Sequence, residues 1–387
     1  MQKFETTIPL SLYIHLPWCV RKCPYCDFNS HQAPESLPEA LYIARLLADL
    51  EGYLPLIWGR RLISIFFGGG TPSLFSTDGI AKILEGVHRL LNFGPEIEIT
   101  LEANPGTLDE SRFQGFLDAG VNRLSLGLQS LQDDKLKILG RIHNRDAALR
   151  AIDHAQQAGF SNINLDLMHG LPEQNVDDAL SDLEEAIAWQ TPHLSWYQLT
   201  IEPNTYFHHH TPTLPDEKTL WQIQEEGKKL LTANGFECYE VSAYARDKKY
   251  SQHNVNYWEF GDYLGIGAGA HSKITDLDQQ HIIRFSEVKN PRDYLAPNKP
   301  RQNEMRIVQA HDVPFEFMMN ALRLTQGVPT ELFRERTGLD LQCIALPLKT
   351  ARDKGLMRDT QSRLAGSELG LRFLNDLVGL FLINPEN

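Results

Sequence analysis

Residues 18–28 read Trp-Cys-Val-Arg-Lys-Cys-Pro-Tyr-Cys-Asp-Phe and place Cys19, Cys23 and Cys26 at the spacing C-x3-C-x2-C. Three thiolates at this spacing can ligate three irons of a cubane 4Fe–4S cluster. They leave the fourth iron free for a small molecule that chelates it. Pro24 disfavours a regular helix through the stretch. The sequence therefore predicts a loop folded around an iron–sulfur cluster.

A structural zinc site is the alternative for these three cysteines. Zinc sites of this kind usually carry a second ligand pair downstream, and the sequence has no second cysteine pair. The remaining cysteines, Cys238 and Cys343, stand alone, and we expect each to be a small buried apolar side chain. The spacing favours the cluster over zinc.

The composition is that of an acidic chain with enough apolar residues for a large core. Of its 387 residues, 42% are hydrophobic, and the formal net charge is −13. Because nucleic-acid binding favours a basic face, we expect no nucleic-acid partner. No apolar run is long enough to cross a bilayer, and Ile8–Leu16 is too short for a signal-peptide core with its flanks. We expect a cytoplasmic protein, at most peripheral at the inner face of the membrane.

Residues 1–243 alternate between short apolar runs and longer amphipathic segments. The strand-like runs are Ser11–Leu16, Ile63–Phe67, Ile97–Leu101, Arg123–Leu128, Asn162–Leu167 and Leu194–Thr200. Helix-like segments lie near residues 38–52, 76–91, 109–119, 144–158 and 175–190, and a seventh unit combines helix 216–234 with the run Glu237–Ala243. This order predicts an α/β fold with parallel strands and crossover helices.

Polar and glycine residues stand where successive predicted strands end. Gly68-Gly-Gly-Thr-Pro72 follows the second strand, and Glu102, Gln129 and Asp166 end or follow the next three. The carboxyl ends of parallel strands meet at one face of a (β/α) barrel, where active sites lie. Four such positions in register predict a binding site at this face.

The pattern changes near residue 276. Residues 275–312 are polar and contain three prolines, which is typical of a connector. Beyond them, the sequence predicts helices over 315–325, 330–337 and 342–355, a hairpin over 356–365 and a helix over 367–382. We therefore divide the chain into a barrel (1–243), an extension with connector (244–312) and a small winged-helix-like α+β domain (313–387). This last domain lacks a strong basic excess, so we expect it to pack or to bind a partner, not DNA.

Taken together and in this order, the motifs resemble the radical S-adenosylmethionine (radical SAM) superfamily. The resemblance implies a partial (β/α)6-type barrel that binds S-adenosylmethionine beside the cluster. It implies that Glu102 pairs with the ammonium of this cofactor, Arg141 with its carboxylate, and Asp166 or Gln129 with its ribose. The residues that it places around cofactor and cluster are Tyr13, Tyr25, Gly69, Gly70, Thr71, Glu102, Gln129, Arg141 and Asp166. It further implies that the reduced cluster gives an electron to the sulfonium, and that a 5′-deoxyadenosyl radical forms.

Within the superfamily, the chain resembles the group of oxygen-independent coproporphyrinogen III oxidases and HemW heme chaperones. Asn162–Pro172 and Tyr197–Thr205 are the stretches most similar to this group. The oxidase pattern carries a further Cys at the position of Phe28 and a long segment ahead of the first strand. Here the first strand starts near Ser11. Both departures favour the chaperones.

His253-Asn-Val-Asn-Tyr-Trp258 matches the H-N-x-x-Y-W motif of HemW proteins, which is associated with heme binding. An imidazole can ligate heme iron, and Tyr257 and Trp258 can pack against a porphyrin. A structural histidine beside an aromatic pair is the alternative. Because the motif follows the last predicted barrel strand, we expect His253 near the open end of the barrel or at the junction with the C-terminal domain.

Two further patterns give weaker signals. His208–His210 could ligate a metal, but we expect a solvated polar loop there. Gly265–Gly269 lacks the G-x-G-x-x-G spacing of a dinucleotide loop and predicts close backbone packing near the pocket.

The resemblance implies a heme chaperone with a 4Fe–4S cluster, S-adenosylmethionine and heme as its cofactors and cargo. Its expected partners are heme-accepting proteins, membrane-bound respiratory enzymes among them, and a homodimer is a further expectation. The alternatives are an oxygen-independent coproporphyrinogen III oxidase and a radical enzyme acting on another substrate. We expect slow reductive cleavage of S-adenosylmethionine but no coproporphyrinogen oxidase activity.

Overall fold

The computed structural model describes residues 2–106 and 110–382. Its strands are β1 (Leu10–Leu16), β2 (Trp18–Cys19), β3 (His31–Gln32), β4 (Leu62–Gly69), β5 (Glu98–Ala103), β6 (Arg123–Gln129), β7 (Ile163–His169), β8 (His193–Gln198), β9 (Glu237–Glu240), β10 (Ala243–Ala245), β11 (Asp262–Ile266), β12 (His271–Asp276), β13 (His281–Glu287), β14 (Gln302–Ile307), β15 (Val328–Pro329) and β16 (Arg363–Leu364).

The α-helices are α1 (Glu39–Ile57), α2 (Thr77–Leu90), α3 (Glu110–Asp118), α4 (Asp133–Ile138), α5 (Arg145–Gln157), α6 (Val176–Ala188), α7 (Tyr206–His209), α8 (Glu217–Ala233), α9 (Gln252–Trp258), α10 (Pro291–Leu295), α11 (Val313–Ala321), α12 (Thr330–Thr337), α13 (Ala345–Asp353), α14 (Glu368–Arg372) and α15 (Leu374–Gly379). Position 109, where one helix was predicted to begin, lies outside the described residues. Within the described part, none of the helices is long and apolar enough to cross a bilayer.

The parallel sheet predicted from the sequence is confirmed. The strands β1, β4, β5, β6, β7 and β8 lie side by side in chain order and pair in parallel. The outer helices begin where side chains cap them: Ser76 accepts a hydrogen bond from the Gly79 N–H, and Asn175 forms a reciprocal capping box with Asp178. Such caps satisfy backbone donors that a helix start leaves free. The result is an α/β sheet whose strand ends share one edge.

Two segments differ from the prediction. The run Glu237–Ala243 does not form a seventh parallel unit; β9 and β10 form an antiparallel pair at the edge beyond β8. The polar segment 275–312 is not mainly a connector, because it contributes the whole of β13 and β14 to the sheet. Strand β11, which the sequence did not reveal, pairs in parallel with the free side of β1. The sheet order is β14-β13-β12-β11-β1-β4-β5-β6-β7-β8-β10-β9.

The C-terminal segment is helical with one small sheet. The hairpin predicted over 356–365 is only partly present, since β16 pairs with β15 and one bridge joins Met357 to Gly366. The helix predicted over 367–382 is interrupted at Phe373, which separates α14 from α15. An apolar cluster joins this segment to Phe4 and Ile8 near the N-terminus and to β9, β10 and β13. The division at residues 243 and 312 stays a prediction.

Asp262, at the start of β11, is fully buried between two cations. Its Oδ1 accepts a hydrogen bond from Lys273 Nζ (2.9 Å) and its Oδ2 one from Arg60 Nη2 (2.9 Å). Thr275 donates its backbone N–H (2.8 Å) and its hydroxyl (2.9 Å). Burial raises the pKa of Asp262, but the charges of Lys273 and Arg60 and the Thr275 N–H outweigh burial and leave that pKa below its ordinary value. This network holds β11 and β12 against the start of β4.

We expect Asp262→Asn to lower the free energy of unfolding by about 3–5 kcal/mol at pH 7, because it leaves Lys273 buried without a countercharge. Since the folded pKa lies below the unfolded one, this stabilisation is present at neutral pH and is lost as the pH falls below 3.8 toward the folded pKa. Urea unfolding at pH 7 and pH 3 measures both effects. The exposed control Asp278→Asn should change stability by less than about 0.5 kcal/mol. Equal stability of the two variants at pH 7 would contradict the expectation.

Candidate cluster and cofactor site

The cysteine loop runs from the end of β1 to α1 and contains little regular structure. Its short strands β2 and β3 pair with each other, and the side-chain amide of Asn29 donates to the carbonyls of Ala268 (2.8 Å) and Lys289 (2.9 Å). The Asn29 carbonyl is 2.9 Å from His15 Nε2 on β1. A Cβ at Gly267 would lie 2.4 Å from the His15 carbonyl, so the close backbone packing predicted for Gly265–Gly269 is present. The loop is thus tied to β1 and to the backbone that follows β11 and β13.

The three clustered thiols line one cavity and each has a polar neighbour. Thr71 Oγ1 lies 3.5 Å from the sulfur of Cys19, Arg141 Nη1 lies 3.5 Å from that of Cys23, and the sulfur of Cys26 lies 3.5 Å from a serine hydroxyl. Burial raises the pKa of the Cys19 thiol, and the nearby Cys26 and Cys23 add to this while the Thr71 hydroxyl opposes it. Iron binding would therefore displace a proton from Cys19.

The two remaining cysteines lie on other parts of the chain, Cys238 on β9 and Cys343 between α12 and α13. Cys343 is exposed, so the expectation of a buried side chain is wrong for it, while Cys238 is half-buried and packs against the main core.

The glycine segment lies between the cysteine loop and the next strand end. The N–H of Gly70 donates to the Leu16 carbonyl (2.9 Å), and that of Thr71 donates to the Trp18 carbonyl (2.7 Å). A Cβ at Gly70 would lie 2.6 Å from the Trp18 carbonyl oxygen, so only glycine allows this approach. The N–H of Gly69 donates to Glu102 Oε2 (3.2 Å). Backbone groups and a carboxylate therefore meet beside Cys19.

Glu102 and Arg141 lie at the same edge of the cavity but in different environments. Burial and the neighbouring Asp166 raise the pKa of Glu102 to about 8, against a small opposing effect of the Gly69 N–H. Arg141 Nη2 donates to Asn104 Oδ1 (2.6 Å) and to the Gly127 carbonyl (2.8 Å). Its Nε makes no hydrogen bond to any described residue. The cavity thus contains an acid that is neutral at pH 7 and a cation with a spare donor.

Gln129 and Asp166 complete this edge. Gln129 has a φ of 66° at a register shift between β6 and β7, a conformation that costs energy for a residue with a side chain. Its Oε1 has no hydrogen-bond donor in the described chain. Asp166 is held by the hydroxyl of Ser125 (2.8 Å) and the amide of Asn164 (2.8 Å). The strained backbone places an unsatisfied amide oxygen in the cavity.

The structure brings most of the predicted site residues around one cavity of about 700 Å³. Its lining includes Cys19, Cys23, Tyr25, Cys26, Gly69, Gly70, Thr71, Glu102, Gln129, Arg141 and Asp166. Two predicted residues do not line it. Tyr13 lies behind Gly68, with its hydroxyl 3.0 Å from His15 Nδ1, and His253 is buried elsewhere.

The helix α9, which carries the H-N-x-x-Y-W motif, contacts α11 of the C-terminal segment, but His253 points into the barrel core. Its Nδ1 lies 2.9 Å from the Ser64 hydroxyl, and its ring packs against Phe66 (4.8 Å between centroids) and Tyr257 (4.9 Å). Only 2% of the residue is exposed, and burial with the charge of Arg123 lowers the pKa of His253 to about 3. As folded, the imidazole is enclosed, which matches the structural alternative.

Several residues that line the cavity are not among those predicted from the sequence. Asn104 lies two residues after Glu102 at the end of the same strand. Because side chains at every second strand position share a face, Asn104 could have been predicted from the position of Glu102. Arg123, Glu240 and Arg323 also line the cavity. No local pattern marks them, because they come from separate parts of the chain. The run His208–His210 is exposed as expected, although part of it belongs to the short helix α7.

Two family models and two relatives described here match this chain. The model of the radical SAM superfamily matches residues 13–186, and the model of the HemN C-terminal domain matches residues 308–373. The heme chaperone HemW of Haemophilus influenzae is 49% identical over 378 residues, which covers 97% of this chain and 98% of that protein. HemW of Escherichia coli is 48% identical over 374 residues, with coverages of 97% and 98%. The chain belongs to the HemW family.

The fold agrees with this HemW assignment. The solved structure of coproporphyrinogen III oxidase (HemN) from Escherichia coli has a TM-score of 0.82 to this chain and covers 97% of it, with 90% of that structure matched. The sequence identity is 20%, so this likeness shows a shared fold alone. The α/β radical SAM architecture predicted from the sequence is confirmed.

We expect replacement of Cys19, Cys23 or Cys26 by Ala to abolish or greatly weaken cluster binding in this HemW family member, since each thiolate is expected to hold a different iron. Anaerobically reconstituted wild-type chain should contain about four irons and show a broad absorption near the visible–ultraviolet border. Iron and sulfide analysis and the visible spectrum measure both. The controls Cys238→Ala and Cys343→Ala should keep the cluster. Stoichiometric zinc without iron in natively purified, anaerobic protein would overturn this expectation.

Proposed function

We propose that this chain is a heme chaperone that binds heme and transfers it to acceptor proteins. In this proposal, Cys19, Cys23 and Cys26 hold a 4Fe–4S cluster, and S-adenosylmethionine binds beside it. The observation that carries the proposal is the identity of 48–49% to HemW proteins along 97% of the chain. The convergence of three thiols and several strand-end polar groups on one cavity supports it.

The donor set around the cysteines fits an iron–sulfur cluster. Three sulfurs line the cavity, and the Thr71 hydroxyl and the Arg141 guanidinium each lie 3.5 Å from one of them. Hydrogen bonds to cluster sulfurs tune its potential. When bound and reduced, a cluster of this kind supplies one electron to a sulfonium held next to it.

The remaining cavity groups fit S-adenosylmethionine. Glu102 can pair with the ammonium group once it loses its proton, and the spare Nε donor of Arg141 can bind the carboxylate. Gly70 packs directly on the Trp18 backbone, where a Cβ would lie 2.6 Å from the carbonyl oxygen, and so keeps the glycine segment of the cavity wall close to the cysteine loop. Asp166 and the unsatisfied Gln129 oxygen can accept from ribose hydroxyls. Tyr25 and Thr71 complete the lining.

Coproporphyrinogen III oxidation is the second candidate, and the site argues against it. Phe28 lines the cavity at the position where the oxidase pattern has a further cysteine, and 62% of this side chain is exposed. A phenyl ring can neither ligate iron nor shuttle protons. We propose that cofactor cleavage, where it occurs, is slow and not coupled to porphyrinogen decarboxylation.

We further propose that the acceptors include membrane-bound respiratory enzymes and that the chain works in the cytoplasm. The net charge of −13 opposes binding to anionic lipids at the inner face of the membrane. Delivery would therefore depend on a protein contact. A homodimer is part of the proposal, and the free edge of the sheet at β14, with its exposed Met305 and Ile307, supports it.

We expect the affinity for S-adenosylmethionine to rise with pH as Glu102 ionises. Burial and Asp166 raise the pKa of Glu102 to about 8, so the carboxyl is protonated at pH 7 and must lose a proton to pair with an ammonium. Between pH 6.5 and 8.5 we expect a gain of about 25-fold that depends on Glu102. Equilibrium binding to the oxidised, reconstituted protein at three pH values measures it.

The variant Glu102→Gln should bind more weakly and lack this part of the pH dependence. Any dependence that remains in it belongs to the ligand. The exposed Glu96→Gln should behave like the wild type. Identical pH profiles for wild type and Glu102→Gln would contradict the assigned role.

We expect the reconstituted chain to bind about one heme and to pass it to apomyoglobin, a heme-free acceptor, while coproporphyrinogen III is not converted. Soret titration and the Soret change of the acceptor measure binding and transfer, and product analysis by chromatography measures turnover. Absence of saturable heme binding would refute the chaperone proposal. Robust protoporphyrinogen formation would establish the oxidase instead.

A further inference from the structure

Part of the cavity wall is formed by residues that the cofactor set above does not use, among them Arg123, Glu240, Asn254, Trp258 and Arg323. They come from β6, β9, α9 and the turn after α11, so four separate parts of the chain build it. We call this set the distal lobe.

The distal lobe adjoins the cofactor region through a short polar bridge. The Ser195 hydroxyl on β8 donates to Asn164 Oδ1 (3.1 Å), and Nδ2 of the same Asn164 donates to Asp166 Oδ1 (2.8 Å). The next strand in the sheet, β10, pairs with β8 opposite Ser195, and Ser242 just before it also lines the cavity. Glu240 lies two residues further back. A ligand in the distal lobe would thus lie next to one held by Asp166.

The polar groups of the distal lobe are buried but incompletely paired. Arg123 is 2% exposed, and its Nε has no hydrogen-bond partner in residues 2–106 and 110–382. The nearest carboxylate, that of Glu98, is 4.0 Å away. Glu240 is 4% exposed, and its Oε2 makes no hydrogen bond to a described residue, with Arg323 Nη2 at 3.6 Å. In both pairs, the distance between nitrogen and oxygen is longer than in charge-assisted hydrogen bonds, where it is about 2.7–2.9 Å.

Donors outnumber acceptors among these unsatisfied atoms. Arg123 Nε, Arg323 Nε and Trp258 Nε1 are buried N–H groups that find no acceptor in the described chain, against the single oxygen of Glu240. The Trp258 ring lies under the Arg323 guanidinium at 4.4 Å, which holds that planar group in one orientation. Two oriented guanidinium groups and an indole N–H are suited to a carboxylate, which accepts from several donors at once.

We infer that the distal lobe binds the carboxylate of a ligand held next to S-adenosylmethionine. Two sources share this chemistry, a propionate of heme and a small organic acid. Only the first source rests on the proposed chaperone function. The inference also gives the H-N-x-x-Y-W motif a direct part in binding: its Asn254 and Trp258 face the cavity, while His253 packs the helix onto the barrel.

The test compares three probes on reconstituted full-length protein: hemin, hemin dimethyl ester, which lacks free carboxylates, and glutarate. Soret titration gives the affinities for the first two, and the shift of the thermal midpoint reports glutarate. The variants are Arg323→Met and Trp258→Phe, which removes the indole N–H together with one of the two fused rings. Arg372→Met is the matched control, because Arg372 lies over Trp221 (4.8 Å) and 3.7 Å from Glu225, outside the cavity.

We expect wild type and Arg372→Met to bind hemin about tenfold more tightly than its dimethyl ester, and Arg323→Met to lose this preference. Trp258→Phe should reduce it in part, and it decides the case if Arg323→Met fails to fold by circular dichroism. Equal affinity for hemin and its ester, together with a glutarate shift that Arg323→Met or Trp258→Phe abolishes, would support the small-acid source.

Equal affinity for hemin and its ester without any glutarate shift in the wild type would overturn the distal-lobe inference and leave the chaperone proposal standing. Absence of all hemin binding would refute the chaperone proposal, and the glutarate result alone would then decide the inference. A preference for hemin that Arg323→Met and Trp258→Phe retain in full would also overturn it, since the carboxylate would then bind elsewhere.

Discussion

A loop of little regular structure must hold three thiols in fixed positions, and the hydrogen bonds of Asn29 tie that loop to the sheet. The Asn29 side chain bonds to the backbone after β11 and after β13, and its carbonyl meets His15 on β1. The cysteine loop therefore takes its shape from strands that are more than two hundred residues away in sequence. The added strands β11 to β14 matter for this reason: without them the loop would have support on one side only.

The sequence predicted the part of the fold that local pattern controls. Strand β6 has leucine at every second position from Leu124 to Leu128, an alternation that indicates a strand, and it is buried along its whole length. The strand-end positions of Glu102 and Asp166 follow from the register of parallel strands. Strand β14 could not be predicted in this way, because Gln302–Ile307 is largely polar and mostly exposed and joins the sheet by backbone pairing with β13. Antiparallel edge strands need no apolar run when one face is in water.

The same limit applies to the site. Cys19, Cys23 and Cys26 are close in sequence, so their spacing alone indicates a shared ligand. Arg323 contacts Glu240 and Trp258 because the C-terminal segment packs against the sheet. The sequence around residue 323 contains no pattern that predicts this contact. His253 shows the opposite case. Its motif is conspicuous in sequence, yet its ring serves the packing of α9, and Glu98 accepts hydrogen bonds from the backbone N–H groups of Gln252 (3.0 Å) and His253 (3.1 Å).

The docking of Arg323 onto Glu240 has a thermodynamic consequence. Arg323 lies just after α11, so one wall of the distal lobe moves with the C-terminal helices. Suppose that a ligand in the distal lobe stabilises the docked arrangement. By reciprocity, any protein that binds those helices and displaces α11 must then lower the affinity for the ligand by the same factor. An acceptor protein that binds this segment would then lower the affinity for the ligand as it binds. Release of the ligand would need no separate signal.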